Sequence, residues 1–180
     1  SVIGKHPNFE IRFGEIKSVT NEGNDAVLQL NDEKITAEYV FNSILFEKPE
    51  LQKKDYYLQQ HFKGWIIETP TPVFDPGEAT LMDFRTDQRQ GTTFIYVKPF
   101  SATKALVEYT LFTEQLLSPG EYEAGLREYI SQVIGIQAYT VIEEENGIIP
   151  MTNYRFPAVN GRVIYIGTAG GQTKASSGYT

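Results

Sequence analysis

Two neighbouring stretches decide the fold, TTFIYVKPF at residues 92–100 and KALVEYTLFT at residues 104–113. Both are rich in aromatic and β-branched residues that repeat with a period of two between turn signals, which is typical of β-strands with two different faces. The three residues Ser101-Ala102-Thr103 connect them, and so short a connection favours antiparallel neighbours. The pair therefore predicts an antiparallel sheet in the middle of the chain.

Further elements extend this sheet in both directions. Strands are predicted at 78–85, at 59–69 and at 139–149, with the last interrupted by the charged segment 143–147. One long helix is predicted at 119–134, where apolar residues follow a capping sequence at spacings of three and four. The fold class is therefore α+β, with a mostly antiparallel or mixed sheet and one long helix.

Composition excludes several function classes. The net charge of −7 and the scattered Lys and Arg residues argue against nucleic acid as a partner. The chain has no Cys and two His among 180 residues, so we expect no disulfide and no metal site. It contains no run of about 20 apolar residues that would predict a spanning helix. The abrupt ends suggest an internal piece of a larger protein.

Glu108 is the first candidate for chemistry. Strand alternation places it on one face with Leu106 and Phe112, and a carboxyl among apolar neighbours has a raised pKa and can act as an acid. The alternative is a solvated face, with Glu108 exposed or paired to Lys98 or Lys104. Both interpretations stay open on the local pattern.

Other polar and aromatic residues carry similar ambiguities. Asp83 is either a second acid or the partner of Arg85 in a surface ion pair, and the run 143–145 of three Glu residues is most simply a solvated charge run. The dense aromatic residues of the central strands form either sheet core or the walls of a dry pocket that stabilises a cation.

The C-terminal stretch VIYIGTAGG, residues 163–171, is an apolar strand followed by small residues. Such a loop lets its backbone N–H groups approach phosphate or flavin oxygens closely, although it is equally typical of a flexible turn. The dinucleotide fingerprint G-x-G-x-x-G does not occur in the chain.

Several motifs in order resemble the lycopene cyclase family of flavoproteins, over about residues 59–180. The matching stretches are FKGW at 62–65, LMDFR at 81–85, TFIYVKPFS at 93–101, LVEYT at 106–110, EENGIIPMT at 144–152 and the glycine-rich end. The resemblance implies a fold similar to the hydroxylase-like flavoproteins, in which a mixed sheet roofs the substrate cavity beside a Rossmann-type FAD domain.

The resemblance also assigns parts of the chain to that fold. Residues 1–50 would form a β-meander and a strand of the FAD-binding part, and residues 51–157 the substrate-binding sheet with its helix. Residues 158–180 would be a strand and a truncated flavin-contacting loop at the C-terminal edge of the Rossmann-type domain. The flavin-binding residues would be Gly167, Thr168, Ala169, Gly170, Gly171, Thr173 and Gly178. Reduced FAD, with NAD(P)H as reductant, is expected in the intact protein and not in this piece.

The implied activity is a non-redox isomerisation by an intramolecular lyase. Glu108 would protonate the ψ-end of lycopene so that a β-ionone ring closes, with Asp83 as a second acid or a structural partner. The aromatic walls of the substrate site would be Trp65, Phe84, Tyr96 and Tyr109. Peripheral membrane contact and a cytoplasmic location follow for the parent protein. The alternatives are a flavin monooxygenase or carotenoid-modifying oxidoreductase of the same fold, and a non-catalytic pigment-binding domain.

Overall fold

The computed structural model describes residues 3–174, which form two compact units. One unit comprises residues 3–50 and 155–172, and the other comprises residues 51–154 with 173 and 174. The strands are β1 (Ile16–Glu22), β2 (Asp25–Leu30), β3 (Glu33–Ala37), β4 (Val40–Asn42), β5 (Tyr57–Glu68), β6 (Thr80–Asp83), β7 (Thr92–Pro99), β8 (Lys104–Thr113), β9 (Thr140–Thr152), β10 (Val159–Asn160) and β11 (Val163–Tyr165). The helices are a short 3₁₀ turn at Ile3–Lys5, α1 (Pro119–Tyr129) and a π-helical turn at Ile130–Ile134.

A five-stranded antiparallel sheet forms the body of the second unit, in the order β6-β7-β8-β5-β9. Residues 92–99 and 104–113, which are predicted as an antiparallel pair, form β7 and β8, and β8 is the middle strand of the sheet. The predicted interruption of β9 at 143–147 is wrong, because Glu143 pairs with Ile66 and Gly147 with Phe62 in a continuous ladder. The charged residues are accommodated because β9 is an edge strand, where their side chains reach water.

One face of this sheet is covered by the helix. α1 continues into the π-helical turn and ends at Gly135, which has φ 81°, so the predicted helix at 119–134 is confirmed. Glu121 accepts hydrogen bonds from the backbone N–H and the hydroxyl of Ser118, which fixes the start of the helix. The buried core between helix and sheet consists of Trp65, Ile67, Ile95, Val97, Ala105, Val107, Tyr109, Leu111, Leu126, Tyr129, Ile130 and Ile136. Within residues 3–174, no helix has the length and hydropathy needed to span a bilayer.

The first unit is built from two small sheets. Strands β1, β2 and β3 form an antiparallel meander, and β11 pairs with β4 in parallel and with β10 antiparallel. Arg162 joins the two sheets, since its backbone N–H donates to the side chain of Asn21 and its guanidinium stacks on Tyr39 at 4.8 Å. The α+β class, mostly sheet with one main helix, is confirmed, and the Rossmann-type assignment stays a prediction.

Gly125 allows α1 to approach the sheet closely. An added Cβ at Gly125 would lie 2.4 Å from a ring carbon of Tyr109, which is buried in the core. We expect Gly125→Ala to lower the free energy of unfolding by about 1 to 3 kcal/mol, because overpacking here outweighs the gain in helix propensity.

The matched control is Gly120→Ala in the same helix, where an added Cβ would meet no atom within 4 Å. This substitution is expected to leave the stability unchanged or to raise it by up to about 1 kcal/mol. Urea unfolding of both variants measures the difference. A Gly125→Ala protein as stable as the wild type would contradict the proposed close approach.

Candidate functional site

Glu108 lies at the centre of the open face of the sheet, the face that α1 does not cover. Its register partners are Tyr96 on β7 and Gly64 on β5, and Gly64 in turn pairs with Glu145 on β9. Directly paired residues of neighbouring strands point to the same face. Four strands therefore present the row Tyr96, Glu108, Gly64 and Glu145 side by side, with no side chain at the glycine.

A cavity of about 490 Å³ opens above this row. This volume falls within the range of about 300 to 1,000 Å³ that small-molecule pockets occupy. Its lining is mostly apolar and consists of Gln60, Phe62, Ala79, Thr80, Leu81, Tyr96, Val97, Lys98, Leu106, Glu108 and Ile149. Gln60 is 6% exposed, and among the described residues its Oε1 atom has no hydrogen-bond partner. A buried acceptor without a partner is unusual and suggests that a ligand completes it.

The environment of Glu108 favours its protonated form. Burial raises the pKa of Glu108 to about 7, and the nearby Glu145 carboxyl acts in the same direction through its charge and a hydrogen bond. The hydroxyl of Thr110 donates to Glu108 Oε1 at 2.9 Å and opposes this shift. Among the described residues Glu108 makes no ion pair with Lys98 or Lys104, so the alternative of a surface pair is wrong. A half-buried carboxyl with a pKa of about 7 is about half protonated at pH 7 and can donate a proton there.

Two of the four predicted aromatic walls lie on the face of Glu108. Tyr96 lines the cavity beside Glu108, and its ring packs edge-on against Phe94 with 5.3 Å between centroids. Phe84 contacts the other side of Phe94 at 5.6 Å. These rings form a continuous aromatic surface at one end of the open face.

The other two, Trp65 and Tyr109, point to the opposite face and are buried under α1. Trp65 is 1% exposed, and the guanidinium of Arg127 lies 4.8 Å from its ring centroid. Tyr109 packs against Gly125. The geometry therefore assigns both rings to the core. For Tyr109 the reason is simple, since it directly follows Glu108 in a strand and must point the other way.

Asp83 also lies on the helix side of the sheet, paired with the core residue Ile95. Its carboxylate accepts hydrogen bonds from the guanidinium of Arg85 and, at 2.6 Å, from the hydroxyl of Tyr129. The Arg85 hydrogen bonds, followed by that of Tyr129, hold the pKa of Asp83 well below its ordinary value. A carboxylate held ionised on the other face does not act with Glu108 as an acid, so the geometry favours the structural partner.

His61 belongs to the same covered face. Its Nε2 atom lies 2.6 Å from the hydroxyl of Thr113, and its Nδ1 atom lies 2.6 Å from the hydroxyl of Tyr122 on α1. Burial lowers the pKa of His61, so the ring is neutral at pH 7. This histidine joins helix and sheet through a buried hydrogen-bonded chain.

The acidic run at 143–145 is more than a solvated face. Glu144 points toward the helix side and pairs with Lys63 at 3.0 Å, whereas Glu145 lies on the open face and reaches over Gly64. An added Cβ at Gly64 would lie 2.9 Å from Glu145 Cγ and 3.1 Å from Glu145 Oε1. The sequence interpretation missed Glu145 because it treated the run as a break in the strand. Continued alternation through β9 was the signal that could have found it.

The glycine-rich loop after β11 folds back on itself. The backbone N–H groups of Gly167, Gly170, Gly171 and Gln172 all donate to acceptors within residues 166–172. Gly167 and Gly171 have φ of 55° and 67°, values that glycine adopts without strain.

The amides of Thr168 and Ala169 stand outside this set of hydrogen bonds. Backbone donors at a turn after a parallel strand are the kind of group that binds a phosphate or ribityl oxygen, and the flavin role of this loop stays a prediction. Thr173 follows the loop directly, and Gly178 lies outside the described residues.

Sequence comparisons identify relatives of the chain at modest identity. The profile of the family described as lycopene cyclase protein matches residues 9–180. A lycopene beta-cyclase of Pantoea ananas is 32% identical over 89 residues, which cover 49% of this chain and 22% of that protein. A chloroplastic lycopene beta cyclase of Arabidopsis thaliana is 26% identical over 189 residues, which cover 94% of this chain and 37% of that protein. The chain thus spans about a third or less of these relatives.

Structural comparisons identify related folds. A geranylgeranyl bacteriochlorophyll reductase-like protein of Thermoplasma acidophilum aligns with a TM-score of 0.61 at 16% identity, over 91% of this chain and 43% of that one. A flavin-dependent brominase aligns with a TM-score of 0.51 at 9% identity, over 91% of this chain and 45% of that one. At these identities the likeness concerns the fold alone.

The raised pKa of Glu108 makes stability depend on pH in a defined direction. Folding favours the protonated carboxyl, so this contribution is fully present below the unfolded pKa of about 4.5 and is lost as pH rises toward about 7. In Glu108→Gln the side chain is neutral at every pH in this range, so the variant does not lose this contribution to stability as pH rises. Allowing for partial exposure to solvent, we expect the variant to gain about 2 kcal/mol relative to the wild type between pH 5 and pH 8.

Urea unfolding of both proteins at a series of pH values measures this difference. We expect the difference in free energy of unfolding between variant and wild type to increase as pH rises. A difference that is constant across this range would mean that Glu108 titrates normally in the folded protein.

Proposed function

The chain belongs to the lycopene cyclase family, and from this membership we propose that it supplies the acid and the substrate surface of a lycopene β-cyclase. The observation that carries the proposal is Glu108, a carboxyl with a pKa of about 7 that lines a mostly apolar cavity. The reaction would be an isomerisation of one ψ-end of lycopene to a β-ionone ring. As in an intramolecular lyase, no atom is gained or lost overall.

The chemistry requires an acid stronger than water in a dry site. Glu108 transfers its proton to the terminal alkene, and the electron pair of that double bond forms the new C–H bond. The resulting tertiary cation accepts the electron pair of an internal double bond, which closes the ring by a C–C bond. Transfer of one ring proton to a base then restores a neutral polyene, and Glu108 takes up one proton again, so protons and electrons balance without an oxidant.

Side chains around Glu108 are suited to a cationic intermediate. The ring of Tyr96 lies beside the acid, and aromatic faces attract cations. Gln60 lines the same cavity, and its Oε1, which has no hydrogen-bond partner among the described residues, is the negative end of an amide dipole. Phe62, Leu106 and Ile149 provide apolar lining that excludes water from the cation.

FAD in its reduced form is the cofactor that this proposal includes, with NAD(P)H as the reductant. The loop at 167–171, with the amides of Thr168 and Ala169, would hold part of it. Bound flavin would stabilise positive charge or relay a proton, with no net redox change. The substrate is a long apolar polyene, so we also propose peripheral membrane contact on the cytoplasmic side.

The same test distinguishes the cyclase from two other functions. A flavin monooxygenase or carotenoid-modifying oxidoreductase of this fold would consume NAD(P)H and oxygen in proportion to product. A non-catalytic pigment-binding domain would retain its pigment when Glu108 is replaced by its amide. The raised pKa of Glu108 favours the cyclase, because neither alternative needs a protonated carboxyl.

The direct test expresses the full-length coding sequence in cells that accumulate lycopene and identifies the pigments. We expect ring-containing carotenoids from the wild type. Glu108→Gln is expected to lower cyclisation by a factor of about 10² to 10⁴, because the amide cannot donate the proton.

Glu143→Gln is the matched control, since Glu143 lies on the same open face of β9 but pairs with Ile66. It should convert lycopene as the wild type does. Unchanged lycopene in wild-type cells would exclude the cyclase. Full activity of Glu108→Gln would exclude Glu108 as the acid, and product formed in proportion to NAD(P)H consumed would indicate the oxidoreductase.

A further inference from the structure

The gap at Gly64 brings two carboxyl groups together. Gly64 lies between Glu108 and Glu145 in the sheet register, and it has no side chain to separate them. The side chain of Glu145 occupies this gap, with its Cγ and Oε1 atoms 2.9 Å and 3.1 Å from the position of an added Cβ. Glu145 therefore lies across the strand toward Glu108 and does not simply extend from the sheet edge into water.

Apolar side chains flank this gap along the strands. On one side, Leu106 Cδ1 lies 3.0 Å from the Cβ position of Gly64. On the other, the ring of Phe62 covers Gly147, where an added Cβ would lie 2.5 Å from the ring. The gap is thus flanked by an apolar side chain on each side, and the Glu145 side chain that occupies it is itself exposed to solvent.

The two carboxyls also face different cavities. Glu108 lines the cavity of the open face, and Glu145 lines a second cavity of about 490 Å³ at the β9 edge, where it is exposed. Phe62 lines both cavities and separates them. The pair of Glu108 and Glu145 therefore links the acid in the cavity of the open face to the exposed edge of the sheet.

We propose that Glu108 and Glu145 form a carboxyl–carboxylate pair across Gly64 that holds one proton, so that Glu145 is a positioning residue for the proton donor. Neighbouring like charges do not both ionise readily, so Glu145 adds to the effect of burial in keeping Glu108 protonated near neutral pH. Glu145 also provides the exposed partner through which that proton exchanges. This inference rests on the proposed role of Glu108 as the acid.

The other charged and titratable groups on this face do not account for the effect that Glu145 has on the pKa of Glu108. β7 presents Tyr96 and Lys98, β8 presents Lys104, and β9 also presents Glu143. The cations would lower the pKa of Glu108, which is the opposite of the observed direction. Strand β5 presents no ionisable side chain on this face from Gln60 to Ile66.

The test titrates Glu108 directly in the full-length protein by infrared difference spectroscopy. The C=O stretch of its protonated carboxyl is assigned as the band that Glu108→Gln lacks. In Glu145→Gln, loss of the like charge is expected to move the midpoint to lower pH by about half a unit. Glu143→Gln carries the same change on the same face of β9 and is expected to keep the wild-type midpoint.

Gly64→Ala is the second variant, because it retains both carboxyls while its Cβ displaces the side chain of Glu145. Its midpoint should also move to lower pH, and the alkaline limb of the cyclisation rate should shift with it. A midpoint in Glu145→Gln equal to or above that of the wild type would overturn the inference. The infrared band of Glu108 is measured without catalytic turnover. If the titration midpoint shifts in Glu145→Gln but the protein does not cyclise lycopene, the result contradicts the proposed function and not the carboxyl pair.

Discussion

The alternation of side chains across β8 is the constraint on which the second unit depends. Every second residue from Ala105 to Leu111 is buried against α1, and the residues between them face the other side. Because β8 is the central strand, its neighbours must match this division in register. A shift of one residue would place Glu108 in the core and core residues in the cavity.

This division separates stability from chemistry. The covered face contains the large buried side chains and the polar groups that join helix and sheet, including His61 and Asp83. Each of these polar groups is satisfied by hydrogen bonds and has a pKa that favours one charge state. The open face instead has a carboxyl whose protonated form is favoured and an amide oxygen that has no hydrogen-bond partner within residues 3–174. Trp65 Nε1 on the covered face also has no hydrogen-bond partner among the described residues, so the open face is distinguished by its cavity and by Glu108 and Gln60 together.

Glycine performs two different tasks in the second unit, one in helix α1 and one in strand β5. Gly125 lets the helix approach the ring of Tyr109, so its role concerns packing. Gly64 instead removes a side chain between two carboxyls on the open face, so its role concerns electrostatics. In both places the missing Cβ determines which groups meet, and neither position needs an unusual backbone conformation. A glycine in a strand can thus mark a close approach of side chains.

The sequence by itself determined the central strands, the helix at 119–134 and the family, because these depend on local periodicity and on the order of motifs, but it wrongly interrupted β9 at 143–147. It also placed Glu108 on one face with Leu106 and Phe112. The expectation that Tyr109 lines the substrate site was wrong, although the same alternation was a signal that could have placed it on the opposite face. The tertiary structure decided the rest. Strand register and the position of α1 decided three features of the site. They set the burial of Glu108, the face on which Asp83 lies and the approach of Glu145 to Glu108. Burial and long-range pairing are set by residues far apart in the chain, so local sequence patterns do not specify them.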